Sequence, residues 1–500
     1  MKYQIPFLLV VLTSISCTNN GKNIEKEAIA KTAIVQTSMN VNAQSLLSDS
    51  TVTSVSIGIL KDGIAYTSHY GELDAGKGNP PNDETIYEIA SVTKTMTGTL
   101  VAQAVVDGKL NLEDDIRKYL NNDYPNFQYK NEAIKIKHLV THTSGLPANW
   151  TGFEEAFKKG GDNLAQKIVE IGKNYTEEMF FEQMENAVLD TIPGVIYEYN
   201  NLAPSLMAHI LENVYQKSFD ELLNDFIFKK NGMTSTKIRL SEEEQSRLAN
   251  SYDGKGQLMP NMPIPLWGAE GGMKSTTYDL IKYMRLQLDT TNATIVESHR
   301  PNFIDNPNHS LGYYWSVKKN SEGTYYSHHG GAMGTQNWFF VFPAYNMGVS
   351  VITNSSTRAT SQLLYSTVMG LVNDLKPNGK KSIEKEIIAK TMQNVEEGIA
   401  LYHQLKKDNI DAYNFEDENE LNNLGYALLS KNKVKDAIKI FALLVSEFPK
   451  APNPYDSLGE AYFINKEYEL AIKNYKISLE LNPKNRHAVE MIDKIENLIQ

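Results

Sequence analysis

The stretch Glu88-Ile89-Ala90-Ser91-Val92-Thr93-Lys94-Thr95-Met96-Thr97 constrains this chain more than any other. Behind it runs a helical pattern through Leu100, Val101, Ala104 and Val105, with Gly108 as a stop signal. Ser91 then opens a helix, and Lys94 follows one turn later on the same face. A serine nucleophile needs a base, and a lysine amine serves only where burial or a cationic neighbour lowers its pKa. The helix start also turns backbone N–H groups toward a developing oxyanion. Alone, Ser-x-x-Lys is a common spacing, and its plain reading is a capped helix start with a solvated lysine. The rest of the chain decides between the two.

Thr51 to Leu60 is rich in strand formers, Lys61-Asp62-Gly63 is a hairpin turn, and Ile64 to Tyr70 returns. Asn111–Leu120, Ile134–Val140, Asp162–Val188, Leu202–Tyr215 and Phe219–Phe228 carry helical patterns. Pro260 to Pro265 is a proline-rich loop, and Gly271 to Leu280 leads into a helix with Ser275 or Thr276 as its cap. From Leu311 the period becomes strand-like, with short runs at Tyr313–Val317, Thr324–His328, Asn337–Phe342 and Met347–Thr353. A helix from about Ala359 to Leu371 closes the region. Strands at both ends with helices between them imply an α/β domain. Its antiparallel sheet is closed by the first and last segments, with a helical insertion beside it.

Three further groups carry candidate chemistry. Tyr199, in Tyr197-Glu198-Tyr199-Asn200-Asn201, is a phenol that can pass protons, and Asn201 can orient a lysine or a substrate amide. His328-His329-Gly330-Gly331-Ala332 ends a strand where glycines let backbone approach a ligand. His138 and His142 stand four apart, a spacing that suits two metal ligands. The segment breaks at Gly145 and Pro147 and offers no third ligand, so it reads as structural. No metal or organic cofactor is implied.

Taken together and in this order, Ser91-x-x-Lys94, Tyr199-x-Asn201 and the His-Gly strand resemble the serine β-lactamase and penicillin-binding-protein superfamily. More closely they resemble its class C β-lactamase-like branch of esterases and D-amino-acid peptidases. The resemblance covers roughly Leu46 to Asn373. It includes Leu139-Val140-Thr141-His142-Thr143-Ser144-Gly145-Leu146-Pro147 and Gly271-Gly272-Met273-Lys274-Ser275-Thr276. It implies that Ser91 is acylated, that Lys94 and Tyr199 share the proton work, and that Asn201 holds substrate. It implies an oxyanion hole from the N–H groups of Ser91 and Ala332. It also places His329 first and Gly331 last in the third motif; His328 competes for that first position, but register with the glycines favours His329. Many relatives carry lysine at that first position, facing a substrate carboxylate. A histidine, largely neutral near pH 7, shifts weight toward esters, amides or D-aminoacyl peptides. Tyr197, Trp150, Trp267 and Trp315 are candidate cleft residues, with core packing as the plainer reading.

The chain has 500 residues, more than one domain's worth, and a formal net charge of −11 without any basic block, which argues against a nucleic-acid partner. Its one cysteine, Cys17, excludes an intramolecular disulfide. Cys17 follows Lys2, an apolar run from Ile5 to Leu12, and small residues. This reads as a signal peptide over 1–16, and Cys17 resembles a lipoprotein cleavage and lipidation site. The alternative is plain signal cleavage with an idle cysteine. Residues 17–44 read as a tether that turns helical near Val41–Leu47, 45–375 as the hydrolase domain, and 376–383 as a linker. Beyond it, Leu424-Gly425, Ala437, Phe441 and Pro449 recur 34 residues later as Leu458-Gly459, Ala471, Tyr475 and Pro483. That spacing matches tetratricopeptide repeats, with 384–500 as a helical domain flanked by helices at about Ser382–Lys406 and Arg486–Ile499. The expectation is an exported, membrane-anchored serine hydrolase acting on a small-molecule or peptide ester or amide, with a protein or peptide partner at the repeats. The alternatives are a β-lactamase or D,D-carboxypeptidase, or a catalytically silent binding scaffold.

Overall fold

The computed structural model describes residues 19–500, apart from 162, 265, 321–322, 358, 378–379, 484 and 500. The signal segment and Cys17 lie outside the described residues. The chain forms two compact units, Met1–Leu371 and Val372–Gln500.

The first unit is built on an eight-stranded antiparallel sheet. In chain order its strands are β1 (Ser54–Lys61), β2 (Ile64–Gly71), β3 (Phe303–Asn306), β4 (His309–Gly312), β5 (Trp315–Asn320), β6 (Gly323–Gly331), β7 (Gln336–Phe342) and β8 (Met347–Thr353). Across the sheet they run β2-β1-β8-β7-β6-β5-β4-β3. The first strand therefore pairs with the last, Ile57 opposite Val351, as the sequence pattern requires. Asp62 and Gly63, both at positive φ, form the tight turn between β1 and β2. The longer helices are α1 (Asn19–Leu47), α2 (Thr93–Val106), α3 (Leu164–Asn174), α4 (Leu202–Tyr215), α5 (Thr277–Gln287) and α6 (Thr360–Leu375).

Strand alternation sets what each face of the sheet can hold. Gly58 and Gly348 face α5, where an added Cβ would lie 2.7 Å from Thr277 and from Met284. On the other face Trp338 donates its indole N–H to the Ser361 carbonyl of α6 at 2.8 Å. The expected tether is a correction: helix runs from Asn19, and Val35, Met39, Ala43 and Leu46 form a buried stripe on it. Ile29, Ile34 and Val41 stand exposed on the same helix, so apolar residues on more than one face hide that stripe from a sequence reading. The expected strand at Tyr313 is also displaced. Tyr313 and Tyr314, at φ 51° and 67°, form the turn between β4 and β5. Neither carries the glycine or asparagine that marks such turns.

That turn is fixed from two sides. The Tyr314 N–H donates to the Val140 carbonyl at 2.8 Å. Gly98, in the middle of α2, packs so closely that an added Cβ would stand 2.1 Å from the Tyr313 carbonyl oxygen. Substituting Gly98→Ala forces backbone to move and should cost about 1–3 kcal/mol or more, seen as a lower denaturation midpoint of the full chain. An unchanged midpoint would show that α2 does not depend on this approach.

The second unit contains helices α7 (Ile383–Gln393), α8 (Val395–Asp408), α9 (Glu418–Ser430), α10 (Val434–Glu447), α11 (Pro452–Ile464), α12 (Tyr468–Leu481) and α13 (Arg486–Ile499). The helix expected over 382–406 is two helices. Asn394 leaves the helical region at φ −150° and caps α8 by accepting from the Glu396 and Glu397 N–H groups. Gly425 of α9 faces Phe441 of α10, and Gly459 of α11 faces Tyr475 of α12; an added Cβ would come within 2.3 Å and 3.1 Å of those rings. A two-residue parallel pair, Lys381–Ser382 with Tyr413–Asn414, ties the start of α7 to the segment before α9.

Candidate functional site

Ser91 lies in a single 3-10 turn, Ala90–Val92, that feeds α2. Ala90 before it is held at φ 46°, a left-handed conformation that costs of order 1–3 kcal/mol for a residue with a Cβ. The surroundings enforce it. Ile86–Glu88 pairs with Lys274–Thr276, the Ile89 N–H donates to the Met273 carbonyl, and the Asn337 amide donates to the Ile89 carbonyl. Thr276 supplies the expected cap, accepting from the Asp279 N–H.

Lys94 is wholly buried. Its amine lies 3.1 Å from Ser91 Oγ and 2.8 Å from Asn201 Oδ1, and it also contacts the Glu270 carbonyl oxygen. Two threonines beside it hold the Glu270 loop in place. Thr93 Oγ1 accepts from the Met273 N–H, and Thr97 Oγ1 donates to the Ala269 carbonyl. Asn201 is positioned in turn by its own N–H to the Ala148 carbonyl and by its side-chain amide to Asn149 Oδ1 at 2.7 Å. Tyr199 completes the group. Its hydroxyl interacts with that of Ser91, and its ring centroid stands 4.9 Å from the Lys94 amine.

Burial sets the protonation states. It pulls the Lys94 amine down to about 7, and only the buried Glu270 carboxylate opposes it. Burial raises Glu270 in turn; its Oε2 accepts from Ser205 Oγ at 3.1 Å. Tyr199 as a residue is 38% exposed, but its hydroxyl is turned to Ser91, and burial holds the phenol above its ordinary range despite that contact. The amine is thus deprotonated within the neutral range, while the phenol keeps its proton.

Ser91, Lys94, Tyr199 and Asn201 are thus brought together. The third motif is shifted by one residue from its expected register. Successive strand residues face opposite sides. His328 sits opposite Phe339, in the row that continues through Ser350 to Gly58 on the α5 side. His329 sits opposite Trp338, on the α6 side. His328, not His329, therefore turns its ring toward Tyr199, with centroids 6.4 Å apart. Burial, with the Lys94 charge, holds His328 down to about 3, so it is neutral. Its Nδ1–H donates to the His329 carbonyl, which leaves Nε2 as an acceptor. His329 instead bonds Gln336 at 2.6 Å and packs on Trp338.

The oxyanion assignment shifts with it. The Ala332 N–H is committed to the Thr335 carbonyl at 2.8 Å, across the β6–β7 hairpin. Alternation along an antiparallel ladder then directs the Gly331 N–H to the free edge of β6, on the Ser91 side. Gly330 abuts that turn, since an added Cβ would lie 2.2 Å from the Ile89 carbonyl oxygen.

His142 was legible only as structure, yet it lines the cleft. It accepts the Asn200 N–H at Nδ1, sits at φ 56°, and packs 4.6 Å from the Tyr199 ring. His138 remains structural: its Nδ1 accepts the Lys135 N–H, and its ring packs under Gly194. The cleft holds about 500 Å³. Trp150 and Tyr197 line it, as do Asn149, Glu270 and Trp338, which sequence reasoning missed. Trp267 donates to Glu212 and Trp315 is core, both outside the lining. Among the described residues no cluster of His, Cys, Asp and Glu could hold a metal ion.

Comparison with known proteins agrees with this architecture. The profile of the family described as Beta-lactamase matches residues 36–372. The chain belongs to that family. It is 26% identical to Protein flp of Staphylococcus aureus strain N315 over 346 residues, which is 65% of this chain and 66% of that protein. The match thus spans just under two thirds of that relative's length. A Pseudomonas fluorescens Beta-lactamase is 26% identical over 246 residues, 49% of this chain and 62% of that protein. Among solved structures, a β-lactamase/D-alanine carboxypeptidase from Yersinia pestis superposes with a TM-score of 0.59 at 24% identity, covering 70% of this chain and 99% of the other. One from Pseudomonas syringae gives 0.58 at 17% identity, covering 69% and 99%.

Glu270 supplies a pH test. Its carboxylate favours the charged amine, so Glu270→Gln lowers the Lys94 pKa further. The rate at which a fluorophosphonate labels Ser91 should then begin its rise with pH at a lower pH than in the wild type. A rise that stayed in place or moved to higher pH would contradict the coupling.

Proposed function

We propose that this chain is an exported hydrolase that opens ester or amide bonds through an acyl-enzyme on Ser91. One observation carries the reading. Asn201 Oδ1 and the Glu270 carbonyl oxygen can only accept, so a neutral Lys94 amine spends both of its hydrogens on them. Its lone pair is left facing Ser91 Oγ at 3.1 Å. Lys94 is therefore the base, and Tyr199, held as a phenol, is the acid.

In the first half-reaction Ser91 Oγ bonds to the carbonyl carbon while its proton passes to Lys94. The oxyanion is met by the N–H groups of Ser91 and Gly331. The carbon–leaving-group bond then breaks, and the leaving group takes the Tyr199 proton, which Lys94 restores. In the second half water attacks the acyl carbon, its proton passes along the same path to Ser91 Oγ as the Ser91 ester bond breaks, and the acid leaves with Ser91 restored as a hydroxyl.

A neutral His328 places no fixed cation at the motif position that carries lysine in many relatives, and this favours esters and small amides over β-lactams or D,D-peptides. Export rests on the signal pattern, and anchoring on lipidation of Cys17. Among the described residues no helix is long and apolar enough to cross a membrane. The second unit we read as tetratricopeptide repeats, supported by the Gly425–Phe441 and Gly459–Tyr475 packing at a 34-residue spacing, and as a site for a protein or peptide partner.

Ser91→Ala should fold normally yet lose both fluorophosphonate labelling, read by intact mass, and hydrolysis of p-nitrophenyl butyrate. Retained turnover would exclude Ser91 as nucleophile, and wild type that takes no label would favour a silent scaffold. In the wild type, butyrate ester turnover should exceed nitrocefin turnover at least tenfold. Comparable rates would move the assignment to a β-lactamase.

A further inference from the structure

The catalytic cleft does not end at Ser91. It continues past the free edge of β6 onto the α6 side of the sheet, where Ser316, Lys318, Ser327, His329 and Trp338 line it. That side is otherwise aromatic: Trp338 and Phe340 pack on Tyr365, and Tyr325 stacks on Phe342. Ser316 and Ser327 are opposite one another in the β5–β6 ladder and make a small polar floor within it.

Two groups there lack the partners their burial calls for. Ser327 Oγ is fully buried and has no hydrogen-bond partner. The Lys318 ammonium is only partly exposed, and among the described residues it has no carboxylate or hydrogen-bond acceptor. Its one close neighbour is the face of the Tyr365 ring, 5.4 Å to the centroid. Ser316 Oγ is already engaged by His309 Nε2 at 3.0 Å, and His309 also contacts Asp305, so that carboxylate is turned to His309. A buried donor and a lone cation in the same cleft as a serine nucleophile form half of an ion-binding site.

We propose that Lys318 and Ser327 form a subsite for a carboxylate carried by the substrate, at the far end of the cleft from the bond that Ser91 attacks. The inference rests on the serine-hydrolase reading and narrows its substrates to acidic esters or amides. The cation absent from the first position of the His-Gly motif is then supplied by a neighbouring strand, on the other side of the sheet. Burial lowers the Lys318 pKa with no opposite charge to offset it, and a bound carboxylate would supply that charge. A cleft of about 500 Å³ is roughly 10 Å across, so the carboxylate belongs several bonds from the scissile carbonyl.

The test compares mono-p-nitrophenyl glutarate and adipate with p-nitrophenyl valerate. Wild type should favour the acidic esters in kcat/KM, and Lys318→Met should cut the acidic-to-neutral ratio about tenfold or more, the size of a charge-assisted hydrogen bond. Lys318→Arg should restore part of the ratio, and added salt should lower it in the wild type. A ratio unchanged in Lys318→Met would overturn the subsite. Calorimetric binding of monoadipyl ester to the Ser91→Ala protein, against Ser91→Ala/Lys318→Met, reads the subsite without turnover. Lys318-dependent binding alongside a wild type that hydrolyses none of these esters would keep the subsite and refute the reaction. Equal affinity in the two would refute the subsite whatever the reaction.

Discussion

The site depends on one desolvated amine. Lys94 is enclosed on α2, where charging it is disfavoured, and two fixed oxygens claim its hydrogens. In water the same lysine would stay protonated at neutral pH and be useless as a base. Burial alone would merely neutralise it. The two acceptors also orient it, so that the remaining valence faces Ser91. The Ser91-x-x-Lys94 spacing becomes chemistry only through this combination of low dielectric and direction.

Much of the surrounding architecture can be understood as holding those two acceptors still. Asn201 belongs to a loop-to-helix junction tied to the 146–149 segment, where the Asn200 amide donates to the Leu146 and Pro147 carbonyls. Glu270 belongs to a loop laced to α2 by Thr93 and Thr97. Behind both lies a second buried pair. Glu88 is pushed up to about 7 and Lys274 down to about 8, each shifted mainly by burial and each drawn back by the other's charge. The left-handed Ala90 and the Tyr313–Tyr314 turn are strained elements in the same shell. Neither would persist without the packing around it.

The sheet, its closure by β1 and β8, and the start of α2 were legible because period-two alternation and the Asp62-Gly63 turn are strong local signals. Ser91, Lys94, Tyr199 and Asn201 could be singled out by type and order. What sequence could not fix was parity. With two adjacent histidines and two adjacent glycines, a slip of one residue sends a different ring to the opposite face of the sheet. The cross-strand register then puts His328 with Phe339 and His329 with Trp338. Glu270 and Asn149 were invisible for another reason. Glu270 acts on Lys94 through its backbone carbonyl, which carries no residue-type signature, and Asn149 acts through Asn201. The Tyr313–Tyr314 turn breaks the usual turn chemistry, so propensity pointed to a strand instead.

Lys94 should be substantially neutral at physiological pH inside the folded chain. Lysine-specific isotope labelling, with the Lys94 signal assigned by its loss in a Lys94→Arg protein, allows its titration to be followed directly by NMR. A midpoint near 7 is expected, far below the ordinary lysine range. A midpoint near 10 would contradict a buried, neutral Lys94.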